Sequence, residues 1–140
     1  MVIKKMINAF EKYGQSAGKV WNTLNKYGAL TEPTLKKNTR LTDKEFYAAV
    51  GWLARENKIS KTGEKYQLSE TNLTEKIGNA AGKIYNVLVT HREVEVTTIP
   101  RITRLKTNDT YCGIGWLARE DKIYTTDDII NNDQFKIKLK

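Results

Sequence analysis

The sequence predicts a mainly helical α+β chain built from two copies of one small domain, residues 1–70 and 71–140. Three observations carry this. Sliding the sequence by 64 residues lays Ala17–Ile59 on Ala81–Ile123 without a gap. Within each copy, apolar residues at helical spacing give way to short arms with two-residue alternation. A chain of 140 residues holds one ordinary domain or two very small ones. A unit of about 65–70 residues buries a modest fraction of its surface, so the copies are expected to pack together or onto a partner.

The elements follow in order. Val2, Ile3, Met6, Ile7 and Phe10 form an apolar stripe with Lys4 and Lys5 off it, read as an extra N-terminal helix. It would serve as a lid on the first core or as a dimerisation helix. Val20, Trp21, Leu24 and Tyr27 are helically spaced, and Gly28 stops that helix. Ala29-Leu30-Thr31 is a short extended piece. Thr31 is placed to cap the next helix, and Pro33 is tolerated in its first turn. Leu35 points it inward, and it ends near Thr39. Thr42 and Glu45 then form a Thr-x-x-Glu capping box for a third helix running to about Glu56, with Phe46, Ala49, Val50 and Leu53 inward. Ile59 opens a hairpin whose turn is Lys61-Thr62-Gly63-Glu64, and Tyr66 and Leu68 alternate on its return arm. The second copy repeats this after a polar linker, Ser69-Glu70-Thr71-Asn72, with a longer hairpin tip from Asp127 to Asp133 and a last strand from Gln134 to Lys140.

Helix, short strand, helix, tight turn, helix and hairpin is the order of a winged helix-turn-helix domain. The segment Gly51-Trp52-Leu53-Ala54-Arg55-Glu56, followed by Lys58-Ile59 and preceded by Ala17-Gly18-Lys19-Val20-Trp21, resembles a largely uncharacterised family of small prokaryotic winged helix-turn-helix proteins. Members of that family carry one copy. Here Gly115-Trp116-Leu117-Ala118-Arg119-Glu120 supplies a second, and the resemblance covers nearly all of the chain. What it implies is DNA binding, by analogy of fold.

Composition excludes other classes. With 39% hydrophobic and 29% charged residues the chain is globular, neither disordered nor fibrous. No apolar run approaches the length of a membrane span, and Lys interrupts the N-terminus too soon for a secretory signal, so the expected compartment is the cytoplasm, at a prokaryotic nucleoid. Cys112 is the single cysteine, which rules out an internal disulfide and a paired-cysteine metal site. The single histidine, His91, ends a helix, and no catalytic triad, metalloprotease motif or phosphate-cradling loop occurs. The hairpin acids lack calcium-loop spacing. No catalytic residue, metal or cofactor is therefore expected, and no enzyme.

The net charge of +8 points to a polyanion. Residues 1–64 carry 12 Lys and Arg against 6 Asp and Glu, whereas residues 65–140 carry 12 against 10, so the first copy is the more basic. Candidate DNA contacts are Lys36, Lys37, Arg40, Lys44, Tyr47, Lys61 and Lys65 in copy one, and Arg101, Arg104, Lys106, Thr107 and Asn108 in copy two. The lysines and arginines are placed for phosphates, and Asn108 for bidentate pairing with adenine. Both third helices also keep a stripe of Tyr, Gly and Arg bordered by Trp: Tyr47, Gly51, Trp52, Arg55 and Tyr111, Gly115, Trp116, Arg119. Glycine inside a helix costs roughly 1 kcal/mol, so a position that keeps it twice needs close backbone approach. The stripe suits packing of copy on copy or chain on chain, or stacking on unpaired bases, or the Trp residues belong to the core of their own copy. The expected function is a DNA-binding transcriptional regulator or nucleoid-type architectural protein of low sequence specificity. The expected partner is double-stranded DNA, with single-stranded nucleic acid as a second option, a homo-oligomer compatible and no membrane. The other class kept open is a protein–protein adaptor built from winged helices.

Overall fold

The computed structural model describes residues 5–127 and 135–140, so Val2, Ile3 and the hairpin tip beyond Asp127 lie outside the described residues. Copy one contains α1 (Ala9–Tyr27), β2 (Leu30–Thr31), α2 (Glu32–Thr39), α3 (Asp43–Arg55), β3 (Ile59–Thr62) and β4 (Lys65–Leu68). Copy two contains α4 (Thr74–His91), β5 (Glu93–Glu95), a 3-10 turn (Val96–Thr98), α5 (Ile99–Thr103), α6 (Thr107–Arg119), β6 (Ile123–Asp127) and β7 (Lys136–Leu139). Preceding them all is β1 (Lys5–Asn8).

β1 corrects the sequence reading. Of the N-terminal apolar stripe, Met6 and Ile7 lie in a strand and not in an extra helix, while Phe10 falls in the first turn of α1. The strand pairs antiparallel with β6 of the other copy, from Lys5 opposite Asp127 to Asn8 opposite Tyr124. An edge strand of the second wing leaves a row of backbone groups unpaired, and a short apolar run fits either period, so the edge decides. The helix starts one residue later because the Asn8 side chain caps it, accepting from the Phe10 N–H at 3.1 Å.

The connector between the copies performs the matching task on the first wing, with a side chain. The Lys61 N–H donates to Asn72 Oδ1 at 3.0 Å, and Asn72 Nδ2 donates to the Lys61 carbonyl at 2.7 Å. Asn72 is the 64-residue mate of Asn8. The two sheets are therefore β2-β4-β3 and β1-β6-β7-β5, the second completed by a strand from the first half of the chain. One continuous core runs through both halves, with Leu35, Phe46, Leu53 and Ile59 from copy one and Ile84, Leu88, Ile114 and Ile137 from copy two.

Local chemistry explains most boundaries. Gly28 ends α1 at φ 79°, the conformation that favours glycine. Thr42 and Glu45 form the expected capping box, with bonds of 3.2 and 2.9 Å. Thr31 stands at the start of α2 but does not cap it. Its hydroxyl donates to Thr34 Oγ1 instead. In copy two Pro100 has no N–H to give, so the turn ahead of it winds tighter, with Ile99 N–H bonding the Val96 carbonyl. His91 is exposed at the end of α4, and Cys112 is buried with its thiol pushed by that burial up to about 12, which removes it as a nucleophile. Among the described residues no helix is long and apolar enough to cross a membrane, and no cluster of His, Cys, Asp and Glu could hold a metal.

Candidate nucleic-acid interface

Tyr47, Gly51 and Arg55 lie four apart on α3, as Tyr111, Gly115 and Arg119 do on α6, so each trio shares a helix face. These two faces meet. A Cβ placed on Gly51 would stand 1.8 Å from the Cys112 carbonyl oxygen, and one placed on Gly115 would stand 1.8 Å from the Ala48 carbonyl oxygen. The helices cross backbone against backbone, which only glycine allows. These approaches are mates under the 64-residue offset, and so are the ion pairs that flank them. Arg55 Nε reaches Glu120 at 3.3 Å and Arg119 Nε reaches Glu56 at 2.9 Å. These pairs are partly exposed and contribute at most about 1 kcal/mol each, so they fix the crossing more than they hold it.

The Trp residues face two ways. Trp52 lies on Gly14 of α1 and Trp116 on Gly78 of α4, so each belongs to its own copy. Each also carries the other copy's arginine over its ring, Arg119 at 5.8 Å from Trp52 and Arg55 at 5.7 Å from Trp116. Tyr47 is buried, and its hydroxyl donates to Glu32 at 2.6 Å; burial and that carboxylate both raise its pKa.

The consequence for nucleic acid is direct. A recognition helix reads base edges with the face it presents along its first turns. In α3 residues 46–54 are buried without interruption, and in α6 residues 110–115 are buried likewise. The outward face expected from Tyr47 and Tyr111 onward is occupied by the other helix. What stays open is the start of each helix, the turn before it and the wing of copy one.

The candidate DNA contacts sort accordingly. Lys37, Arg40, Lys61, Lys65, Arg101, Arg104, Lys106, Thr107 and Asn108 are exposed. Lys36 is held between Glu32 at 3.0 Å and Asp43 at 2.8 Å. Burial lowers its pKa, but the bonds to Asp43 and Glu32 outweigh that and raise it overall, so it is a structural cation. Lys44 is half-buried, with its ammonium 5.8 Å from the Phe135 ring. Arg40 and Arg104, at matching positions ahead of α3 and α6, both adopt the left-handed conformation, at φ 58° and 62°. Sequence reasoning missed Glu56 and Glu120 as ion-pair partners, although both stand in the repeated block. It also missed Asn72 and the packing role of Tyr13.

A tandem pair of winged helix-turn-helix units defines the class of protein. The chain belongs to the family described as winged helix-turn-helix domain (DUF2582), whose model matches residues 6–72 and again 72–136. It is similar to the uncharacterized protein MJ1608 of Methanocaldococcus jannaschii, 43% identical over 68 residues that make up 46% of this chain and 91% of that protein. The relative is thus the size of a single copy. No solved structure matches the chain.

Proposed function

We propose that the protein binds double-stranded DNA through its phosphate backbone with low sequence specificity, in the manner of a nucleoid-type architectural protein of the cytoplasm rather than an enzyme. The observation that carries this reading is the pair Arg40 and Arg104. An L-residue in the left-handed region costs about 1 kcal/mol that glycine would avoid. Both copies accept that cost at an exposed turn leading into the third helix, and both place a guanidinium there. The left-handed turn also recurs at Asn57 and Asp121, so it is the guanidinium kept twice at an exposed turn before the third helix, rather than the strain, that points to an anion. Lys37, Lys61, Lys65, Arg101 and Lys106 add exposed positive charge to the same helix starts and to the wing of copy one.

Low specificity follows from the helix pair. With the α3 and α6 faces turned onto each other, base edges are out of reach of most of each helix, and affinity comes from counterion release. The same pairing weakens the adaptor reading, because the aromatic and small faces that a protein partner would use are already covered.

The test is the double variant Arg40→Gly, Arg104→Gly. It is expected to melt no lower than the parent, with a gain of up to about 1 kcal/mol from relieved strain. Its affinity for random-sequence duplex is expected to fall, and the slope of log affinity against log salt to flatten by roughly 0.9 for each phosphate that is no longer neutralised. Unchanged duplex affinity and slope, or no duplex binding by the parent at low salt, would refute the reading.

A further inference from the structure

The pseudo-symmetry of the two copies breaks at several places, and one of them leaves a cleft. Under the 64-residue offset Tyr13 of α1 corresponds to Ile77 of α4. Tyr13 is fully enclosed near Tyr111 and Glu45, on the side of the start of α3. The mates of those two residues, Tyr47 and Asp109, stand beside Ile77 on the opposite side. Isoleucine does not reach as far as tyrosine, and a cleft of about 230 Å³ remains there, between wing and helix pair. That is slightly below the size of sites for drug-like ligands, about 300–1,000 Å³, and suits one ring with one acidic group.

The cleft has an apolar floor and a basic mouth. Val50, Leu73, Ile77 and Cys112 line the floor, and Lys61, Lys106 and Asn108 stand at the opening. Its two carboxylates are already answered. Glu32 receives Lys36 at 3.0 Å and the Tyr47 hydroxyl at 2.6 Å, and Asp109 faces Lys76 at 3.5 Å. Lys61 and Lys106 have no ion pair among the described residues; Lys61 lies 5.3 Å from the Tyr66 ring centroid. Charge therefore remains at the mouth for an anion, while Val50, Leu73 and Ile77 offer apolar contact inside, beside polar walls from Tyr47, Tyr66, Glu32 and Asp109.

We propose that this cleft binds a small organic anion carrying a single aromatic ring, with the ring on Val50, Ile77 and Cys112 and the carboxylate or phosphate met by Lys61 and Lys106. Because these lysines also lie among the candidate phosphate contacts, such a ligand would compete with duplex. Binding of the anion does not depend on duplex binding, since the ligand is measured on the protein alone.

The experiment is a methyl NMR titration of the full chain with phenyl phosphate. Saturable shifts of the Val50, Leu73 and Ile77 methyls are expected, and inorganic phosphate alone is expected to leave them in place. Ile77→Tyr, which copies the closed side, is expected to abolish the shifts at phenyl phosphate concentrations that saturate the parent. Should that variant fold poorly, the exposed pair Lys61→Gln, Lys106→Gln decides, with binding expected to weaken roughly tenfold or more. The proposal is overturned if the parent gives no saturable methyl shift at millimolar ligand, or if inorganic phosphate gives the same shifts. It is equally overturned if folded Ile77→Tyr or the lysine pair binds phenyl phosphate as the parent does.

Discussion

Gly51→Ala and Gly115→Ala are each expected to destabilise the protein by about 3 kcal/mol or more, a drop of about 10 °C or more in melting temperature. A single methyl does this because of what it meets. At 1.8 Å from a carbonyl oxygen of the opposing helix, the Cβ cannot be accommodated by rotating a side chain, and one helix must move away from the other. That movement would pull apart Val50, Tyr47, Tyr111 and Ile114 as well, so the cost spreads into the shared core. Two other helical glycines provide the contrast. Gly18 and Gly82 have nothing within 4 Å of an added Cβ, so Ala at either should gain about 0.5–1 kcal/mol from helix propensity alone. Melting curves of the four variants check this. If Gly51→Ala and Gly18→Ala melt alike, the helices do not cross as described.

The second large effect is expected at the tryptophans, and it should be unequal. Trp52→Ala should cost about 3–5 kcal/mol, as for other large buried aromatics, and Trp116→Ala about 1–2 kcal/mol less. The two share a repeat position and an arginine from the other copy. They differ in what else touches them. Trp52 packs tightly on Gly14, whose added Cβ would stand 3.1 Å from the ring, and has Phe10 at 4.8 Å between ring centroids. Trp116 lies more loosely on Gly78, at 3.6 Å, and the mate of Phe10 is Thr74, so no ring stands at that position. Chemical denaturation measures the two costs, and a double-mutant cycle on Phe10 and Trp52 should return a coupling of about 0.5–1.5 kcal/mol. Equal losses at the two Trp positions would mean that Phe10 adds nothing.

Much of this architecture is legible in residues. The gapless repeat, the Thr42–Glu45 capping box and the Gly28 stop are local signals with local causes, and α1 to α6 follow from them. The repeated glycine in Gly51-Trp52 and Gly115-Trp116 marks a close approach from sequence alone, although what approaches it does not. That requires knowing that Cys112 and Ala48 face the two glycines across the crossing. β1 was hidden because Met6 and Ile7 satisfy a helical stripe and a strand equally well, and the deciding partner lies more than a hundred residues away at β6. The cleft was hidden for a similar reason. Tyr13 against Ile77 is one difference among many in the repeat, and only the tertiary arrangement shows that a ring fills one side. The basic residues were identified as types, but Lys36 proves to be engaged: its i,i+4 spacing to Glu32 on α2 was there to read, whereas Asp43 comes from the next helix and no local rule announces it.

The central claim is that the third helices stay buried against each other while the helix starts and the wing of copy one meet nucleic acid. A nitrogen-15 NMR titration of the full chain with random-sequence duplex tests it most directly. The account predicts that the amides of Lys37, Arg40, Lys61, Lys65 and Arg104 shift progressively, while Gly51 and Gly115 keep their positions throughout. Large shifts or loss of signal at Gly51 and Gly115, with the turn and wing amides unmoved, would contradict it.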